Sequence, residues 1–220
     1  MKTLYFVDFD RTISKEDVWD TIVQEFAPEG WELHVKAYLR GEITSRECNR
    51  RLATLIPACE EQARKLILEI GIDPTFHDFI DWTQEQHAPV MILSDGYNYY
   101  IDLLLQAENL GHLTYFSNQL QWTDTGVTVS FPHSREDCTQ GMAHCKCQHL
   151  DHLTGFRRVY IGDGISDTCA AAKCEQVYAK YDLMKYCQEN GIACIPFSNF
   201  QDIIENETEI LNCYSGVQAT

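Results

Sequence analysis

The chain has 220 residues, 45% of them apolar and 23% charged, a composition that fits a folded globular protein and excludes a disordered one. Its 33 acids against 17 bases give a formal net charge of -16. So acidic a surface repels phosphate backbones and anionic bilayers, which argues against nucleic acid and membrane partners. An anionic ligand then needs a locally positive site, which a divalent cation can supply.

The first apolar run, Leu4 to Val7, ends at Asp8-Phe9-Asp10 and reads as a buried strand delivering carboxylates at its end. From 14 to 86 there are only helix signals. Val18, Trp19, Ile22, Val23 and Phe26 keep helical spacing up to Pro28, and Gly41 and Gly71 are helix stops. Ser14 with Asp17, and Thr44 with Glu47, resemble capping boxes. Pro89 to Leu93 is a second strand ending at Ser94-Asp95-Gly96, followed by a helix over Tyr99 to Leu105. Trp122 to Cys147 is irregular, apart from a turn at 123–126 and an alternating strand, Val127 to Phe131. Arg158 to Ile161 is a third strand, ending at Gly162-Asp163-Gly164. Val177 to Ala179 and Ala193 to Pro196 are short strands about a helix over Asp182 to Gln188, and the tail from 214 is expected to be loose.

Strands alternating with helices predict an α/β fold, a parallel-sheet Rossmann-like core with an inserted all-helical cap. The core is expected to comprise 1–13 and 87–220, and the cap 14–86. No apolar run reaches the roughly 18 residues of a spanning helix. The N-terminal run is too short and too soon charged for a signal peptide, so a cytoplasmic protein with mostly reduced thiols among its ten cysteines is expected. A monomer or homodimer is expected.

Three strand ends therefore carry polar groups: Asp8, Asp10 and Thr12, then Ser94, then Asp163 and Asp167. Open parallel sheets bind ligands beyond the carboxyl ends of their strands, so these residues can converge. Four carboxylates meeting there call for a hard cation, with Mg2+ the default for phosphate chemistry. Taken singly, Ser94 or Asp167 could equally cap the next helix. Cys138, Cys145 and Cys147, with His133, His144 and His149 nearby, are residue types of a zinc site, although Cys-x-Cys is not the usual zinc-knuckle spacing. Packed or reactive thiols are the alternative.

In this order, Asp8-Phe9-Asp10-Arg11-Thr12-Ile13, Ile92-Leu93-Ser94-Asp95-Gly96 and Gly162-Asp163-Gly164-Ile165-Ser166-Asp167 resemble the haloacid dehalogenase superfamily of phosphotransferases. The helical insert resembles the cap of its phosphoserine-phosphatase-like branch. Phe131-Pro132-His133-Ser134 and the cysteine-rich loop are similar to the methionine-salvage 2-hydroxy-3-keto-5-methylthiopentenyl-1-phosphate phosphatases. Cys145-Lys146 and Tyr160 to Gly164 are also similar to phosphocholine and phosphoethanolamine phosphatases.

The resemblance implies a Mg2+-dependent hydrolase of a small phosphomonoester. Asp8 would be the nucleophile and Asp10 the acid/base. Thr12 would position Asp10 or the local backbone. Ser94, with Asp95 and Gly96 beside it, would bind the phosphoryl group, and Asp8, Asp10, Asp163 and Asp167 would hold the metal. The resemblance also calls for a lysine ahead of the last motif, filled by Lys146 or, on another alignment, by His149; the permanent charge favours Lys146. Arg11 stands where glycine is usual. Acids at Glu16 and Asp17 suit an amine-bearing substrate or simply a helix N-terminus. The competing readings are a phosphocholine, phosphoethanolamine or phosphoserine phosphatase, a receiver-type signalling module, and a phosphate-binding protein without turnover.

Overall fold

The computed structural model describes residues 2–138 and 141–217. Strand β1 (Lys2–Val7) is followed by five helices: α1 (Val18–Phe26), α2 (Glu32–Leu39), α3 (Ser45–Leu55), α4 (Glu60–Ile70) and α5 (Thr75–Glu85). Then come β2 (Val90–Tyr97), α6 (Asn98–Ala107), and the antiparallel pair β3 (Thr114–Thr123) and β4 (Gly126–Ser130). The last third holds β5 (Phe156–Gly162), the short α7 (Thr168–Ala171), β6 (Gln176–Ala179), α8 (Tyr181–Glu189), β7 (Ile195–Pro196) and α9 (Phe200–Val217).

The seven strands form one sheet in the order β4-β3-β2-β1-β5-β6-β7, parallel except at β4. Successive residues of β1 point to opposite faces and enter different clusters. Tyr5 and Val7 join Phe79, Ile92, Ile161 and Phe200 on one face. Leu4 and Phe6 join Leu93, Tyr160, Leu183 and Cys187 on the other. Burial on both faces explains why the central strands read as continuous apolar runs. The last of the five inserted helices, α5, lies against the sheet, with Phe79 meeting Tyr5 edge-on and Phe76 and Phe79 packed on Phe200.

The register places the site. Val7 lies opposite both Ile92 and Ile161, so Asp8, Ser94 and Asp163 emerge at one end of three adjacent strands. The chain runs outward from β1 through β2 to β4, then returns to β5 on the other side of β1. That reversal opens a crevice at the strands' carboxyl ends.

Three local expectations change. Ser14 is not a cap: its hydroxyl donates to the Phe9 and Glu16 carbonyls, and Asp17 caps α1 by accepting from Asp20 N. Strand β3 lies where the sequence pattern shows no strand, because its polar positions (Ser117, Asn118, Gln119, Gln121) mask the alternation, although its pairing with β2 is regular at its start. The segment from 214 continues α9 to Val217, while 218–220 lie outside the described residues. Thr44 caps α3 as expected, accepting from Glu47 N.

Helix α9 is tied to the sheet by one buried carboxylate. Glu207 accepts from the Tyr5 hydroxyl (2.9 Å), from the Tyr178 hydroxyl (2.8 Å) and, through both oxygens, from Arg157 (2.6 and 2.9 Å). Removing it strands a cation and two phenols. Glu207→Ala should cost about 3 kcal/mol, read as a lower urea midpoint at unchanged slope.

Candidate active site

Beyond Val7 the chain turns sharply around Phe9, whose carbonyl accepts from the backbone amides of Thr12, Ile13 and Ser14. Phe9 is fully buried against Tyr100 and so anchors the loop from below. Asp8 and Asp10 are thereby held on either side of a fixed point. Arg11 adopts a left-handed φ of 55° and its guanidinium lies at the cavity rim, 3.9 Å from Asp20. Thr12 is buried, but its hydroxyl meets no partner and does not touch Asp10.

Lys146 begins a one-turn 3-10 helix (Lys146–His149). Its buried ammonium lies 2.5 Å from Asp8 Oδ1 and 2.6 Å from Asp167 Oδ1. The structure thus brings Lys146 to the Asp8 carboxylate, and His149 elsewhere. Burial alone would lower its pKa, but Asp167 and Asp8 outweigh burial and hold it above the usual value. Asp8 is pushed up to about 6 by burial and by Asp167, against the pull of Lys146.

Asp167 is fully engaged. One oxygen accepts from Lys146 and from Tyr160 (2.6 Å); the other accepts from the backbone amides of Asp163 (3.1 Å) and Gly164 (2.9 Å). Gly162 packs so closely on this carboxylate that a Cβ there would overlap it. Asp163 is freer and is pushed up to about 9 by burial and by the charges of Asp8 and Asp167. One oxygen from each of Asp8, Asp163 and Asp167 lies within 4.8 Å of the others. Three buried carboxylates sharing one ammonium fit a hard divalent cation, whose charge would offset their repulsion.

Asp10 faces the other way. Its Oδ1 accepts from Val18 N at the start of α1 (2.9 Å), and its Oδ2 accepts from the Tyr100 hydroxyl (2.9 Å) and, at 3.4 Å, from Ser94 Oγ. Burial, then Asp17 and Asp8, raise its pKa well above the carboxylate range. It is therefore suited to carry a proton. Ser94 Oγ also accepts from Gly96 N (2.9 Å). A side chain on Gly96 would overlap the Tyr100 hydroxyl and Asp10, so only glycine fits. Asp95, beside Gly96 on the cavity wall, is held from behind. It accepts from His144 N (2.5 Å) and Asn118 Nδ2 (3.3 Å), and burial pushes it to about 7.

The helical insert roofs these groups. The cavity holds about 310 Å³; Asp8, Asp10, Asp163 and Gly96 are on its walls, Trp19 and Asp20 of α1, Tyr38 and Leu39 of α2 and Leu52 of α3 stand opposite. Met142 closes one side, its sulfur 3.8 Å from the Tyr38 hydroxyl. Sequence pattern does not mark Tyr160, Asn118 or Met142 as site neighbours. Tyr100 alone left a trace, as a polar-tipped aromatic one turn beyond the Ser94-Asp95-Gly96 strand end.

Solved structures with this fold include a phospho-aspartyl intermediate analogue of phosphoserine phosphatase (TM-score 0.69, 20% identity, 93% of this chain and 98% of that one). A substrate-bound phosphoserine phosphatase complex matches equally well (TM-score 0.69, 20% identity, 94% and 98%). Among curated relatives, the 2-hydroxy-3-keto-5-methylthiopentenyl-1-phosphate phosphatase of Bacillus cereus (strain B4264) is 31% identical over 92% of this chain and 94% of its own. The enzyme of the same name from Brevibacillus brevis is 29% identical with the same coverage. Fold and relatives together define a haloacid dehalogenase-type phosphatase, a phosphoric monoester hydrolase. Within that class the chain belongs to the family described as "Putative Phosphatase", whose sequence model matches residues 3–190.

Tyr100→Phe removes one of the hydrogen bonds that aim Asp10 while keeping the ring. Losing one such bond, about 1.4 kcal/mol, should lower kcat for a phosphomonoester about tenfold with KM little changed, as steady-state kinetics would read.

Proposed function

We propose that the chain hydrolyses a small phosphomonoester through an aspartyl phosphate on Asp8, under a cap formed by the inserted helices α1 to α4. The observation that carries this reading is Asp8 itself: buried, in contact with Lys146, beside Asp163, and two residues from Asp10, whose pKa burial raises. Asp8 attacks phosphorus and the bond to the leaving oxygen breaks, with Asp10 giving its proton to that oxygen. Asp10 then takes a proton from water as the water attacks the aspartyl phosphate. The bond to Asp8 breaks, inorganic phosphate leaves, and both carboxyls return to their starting state.

Lys146 and Ser94 neutralise and orient the phosphoryl oxygens, and Gly96 leaves room for them. Asp8, Asp163 and the Asp10 carbonyl are the groups that would hold Mg2+. When bound, the ion supplies positive charge against the transferring group. Asp167, with both oxygens engaged, fits a role in fixing Lys146 and the loop at 163–164.

For the substrate we propose the methionine-salvage enediol phosphate acted on by the relatives. Support comes from the extent of that similarity and from the cavity roof, where Trp19, Leu39, Leu52 and Met142 suit a thioether tail. Amine-bearing esters fit less well, because Asp17 already caps α1 and Asp20 faces Arg11. We place the enzyme in a reducing cytoplasm, which suits its ten free thiols.

A panel of 2-hydroxy-3-keto-5-methylthiopentenyl-1-phosphate, phosphoserine, phosphocholine and phosphoethanolamine, assayed with Mg2+, should give the highest kcat/KM for the first. A higher value for any other ester overturns the substrate assignment, and no hydrolysis of any overturns the function. Asp8→Asn should lower kcat by about four orders of magnitude or more, with the fold retained by circular dichroism. Chelation with EDTA should abolish turnover and Mg2+ restore it. In Asp163→Asn the Mg2+ concentration for half-activity should rise about tenfold or more.

A further inference from the structure

A second cluster of chemistry-bearing groups lies outside the cavity. His133 follows β4, and His144 and His149 bracket Lys146 in the chain. Their rings form a nearly equilateral triangle, with centroids 5.0 Å apart for His133 and His144, 5.1 Å for His133 and His149, and 4.9 Å for His144 and His149. One nitrogen from each lies within 4.8 Å of the others.

The protonation pattern follows from the neighbours. His144 Nδ1 sits 2.7 Å from the Ser94 carbonyl, which can only accept, so Nδ1 carries the hydrogen and Nε2 presents its lone pair. That lone pair faces His149 Nε2 at 2.8 Å. Phe116 stacks on His149 at 4.3 Å and meets His133 edge-on. Among the described residues no carboxylate hydrogen-bonds any of the three rings. Three converging imidazoles, one braced by a backbone carbonyl through its other nitrogen, have the form of a metal-ligating set.

We propose that His133, His144 and His149 bind one zinc ion. Imidazole donors favour zinc as strongly as the carboxylates across the loop favour magnesium, so the two sites sort their ions by donor type. Three nitrogens leave one tetrahedral position for water. Nitrogens on a tetrahedral zinc stand roughly 3.3 Å apart, so His144 and His149 part by roughly half an ångström on loading. The ion joins the end of β4, the Ser94 carbonyl and both flanks of Lys146. It is therefore a fastener for the loop that carries the lysine, and His133, His144 and His149 are positioning residues.

The test uses the full chain without a histidine tag, grown with zinc and dialysed against a weak chelator. Elemental analysis should find about one zinc per chain. The content should be unchanged in Asp163→Asn and about tenfold or more lower in the His133→Ala/His149→Ala double variant. Cobalt exchanged into the wild-type protein should show tetrahedral visible bands without a thiolate charge-transfer band, a readout independent of whether the double variant folds. Added Zn2+ should raise the Tm of the metal-stripped protein. Zinc lost in Asp163→Asn, a thiolate band from Cys138, Cys145 or Cys147, or no retained zinc with no rise in Tm would each overturn the proposal. None of these outcomes depends on which ester, if any, is hydrolysed.

Discussion

The Lys146 ammonium, held between Asp8 and Asp167, is the interaction on which the rest of the site depends. Its partners lie 138 and 21 residues away along the chain, so the contact exists only once β1 and β5 are paired and Lys146 has reached their ends. A fully buried ammonium is costly unless well paired, and here two carboxylates meet that condition. Asp167 does the anchoring: with two backbone amides and Tyr160 also bonded to it, its position is fixed from four directions. Asp8 keeps an oxygen for other work.

The electrostatics follow from that arrangement. A chain with a net charge of -16 concentrates several acids at one crevice, where burial raises Asp8, Asp10 and Asp163 together. Two carboxylates two residues apart nonetheless lie in different surroundings. Asp8 faces a cation and Asp10 faces a phenol, a helix N-terminus and a serine. Lys146 pulls Asp8 toward its charged form, whereas burial and the charges of Asp17 and Asp8 raise Asp10 against the pull of the donors that surround it.

The parts legible in the sequence were those set by local pattern. Apolar strands ending in Asp8, Ser94 and Asp163 announced the sheet and the edge at which a site forms, and Gly41, Gly71 and Thr44 announced helix ends. What sequence could not supply depends on pairing between distant elements. The polar face of β3 obscured a strand that β2 completes. Tyr100 and Tyr160 look like ordinary core aromatics until the fold puts their hydroxyls on Asp10 and Asp167. The choice between Lys146 and His149 was open for the same reason, since residues three apart on a tight turn point to different partners. Thr12 shows the converse: a motif position whose hydroxyl the fold leaves without a partner.

Arg11 illustrates how tightly the loop is specified by its surroundings. A non-glycine residue in the left-handed region costs on the order of 1 kcal/mol, and Arg11 accepts that conformation where glycine would take it freely. The Phe9 carbonyl, with three amides bonded to it, forces the turn whatever residue stands at 11. With φ fixed in this way, the Arg11 side chain is directed to the cavity rim, near Asp20 of the cap. A cation at the mouth of an acidic crevice offsets part of the negative field there. The strained residue thus sets one positive charge at the rim of the crevice, while Lys146, held between Asp8 and Asp167, sets another at its floor.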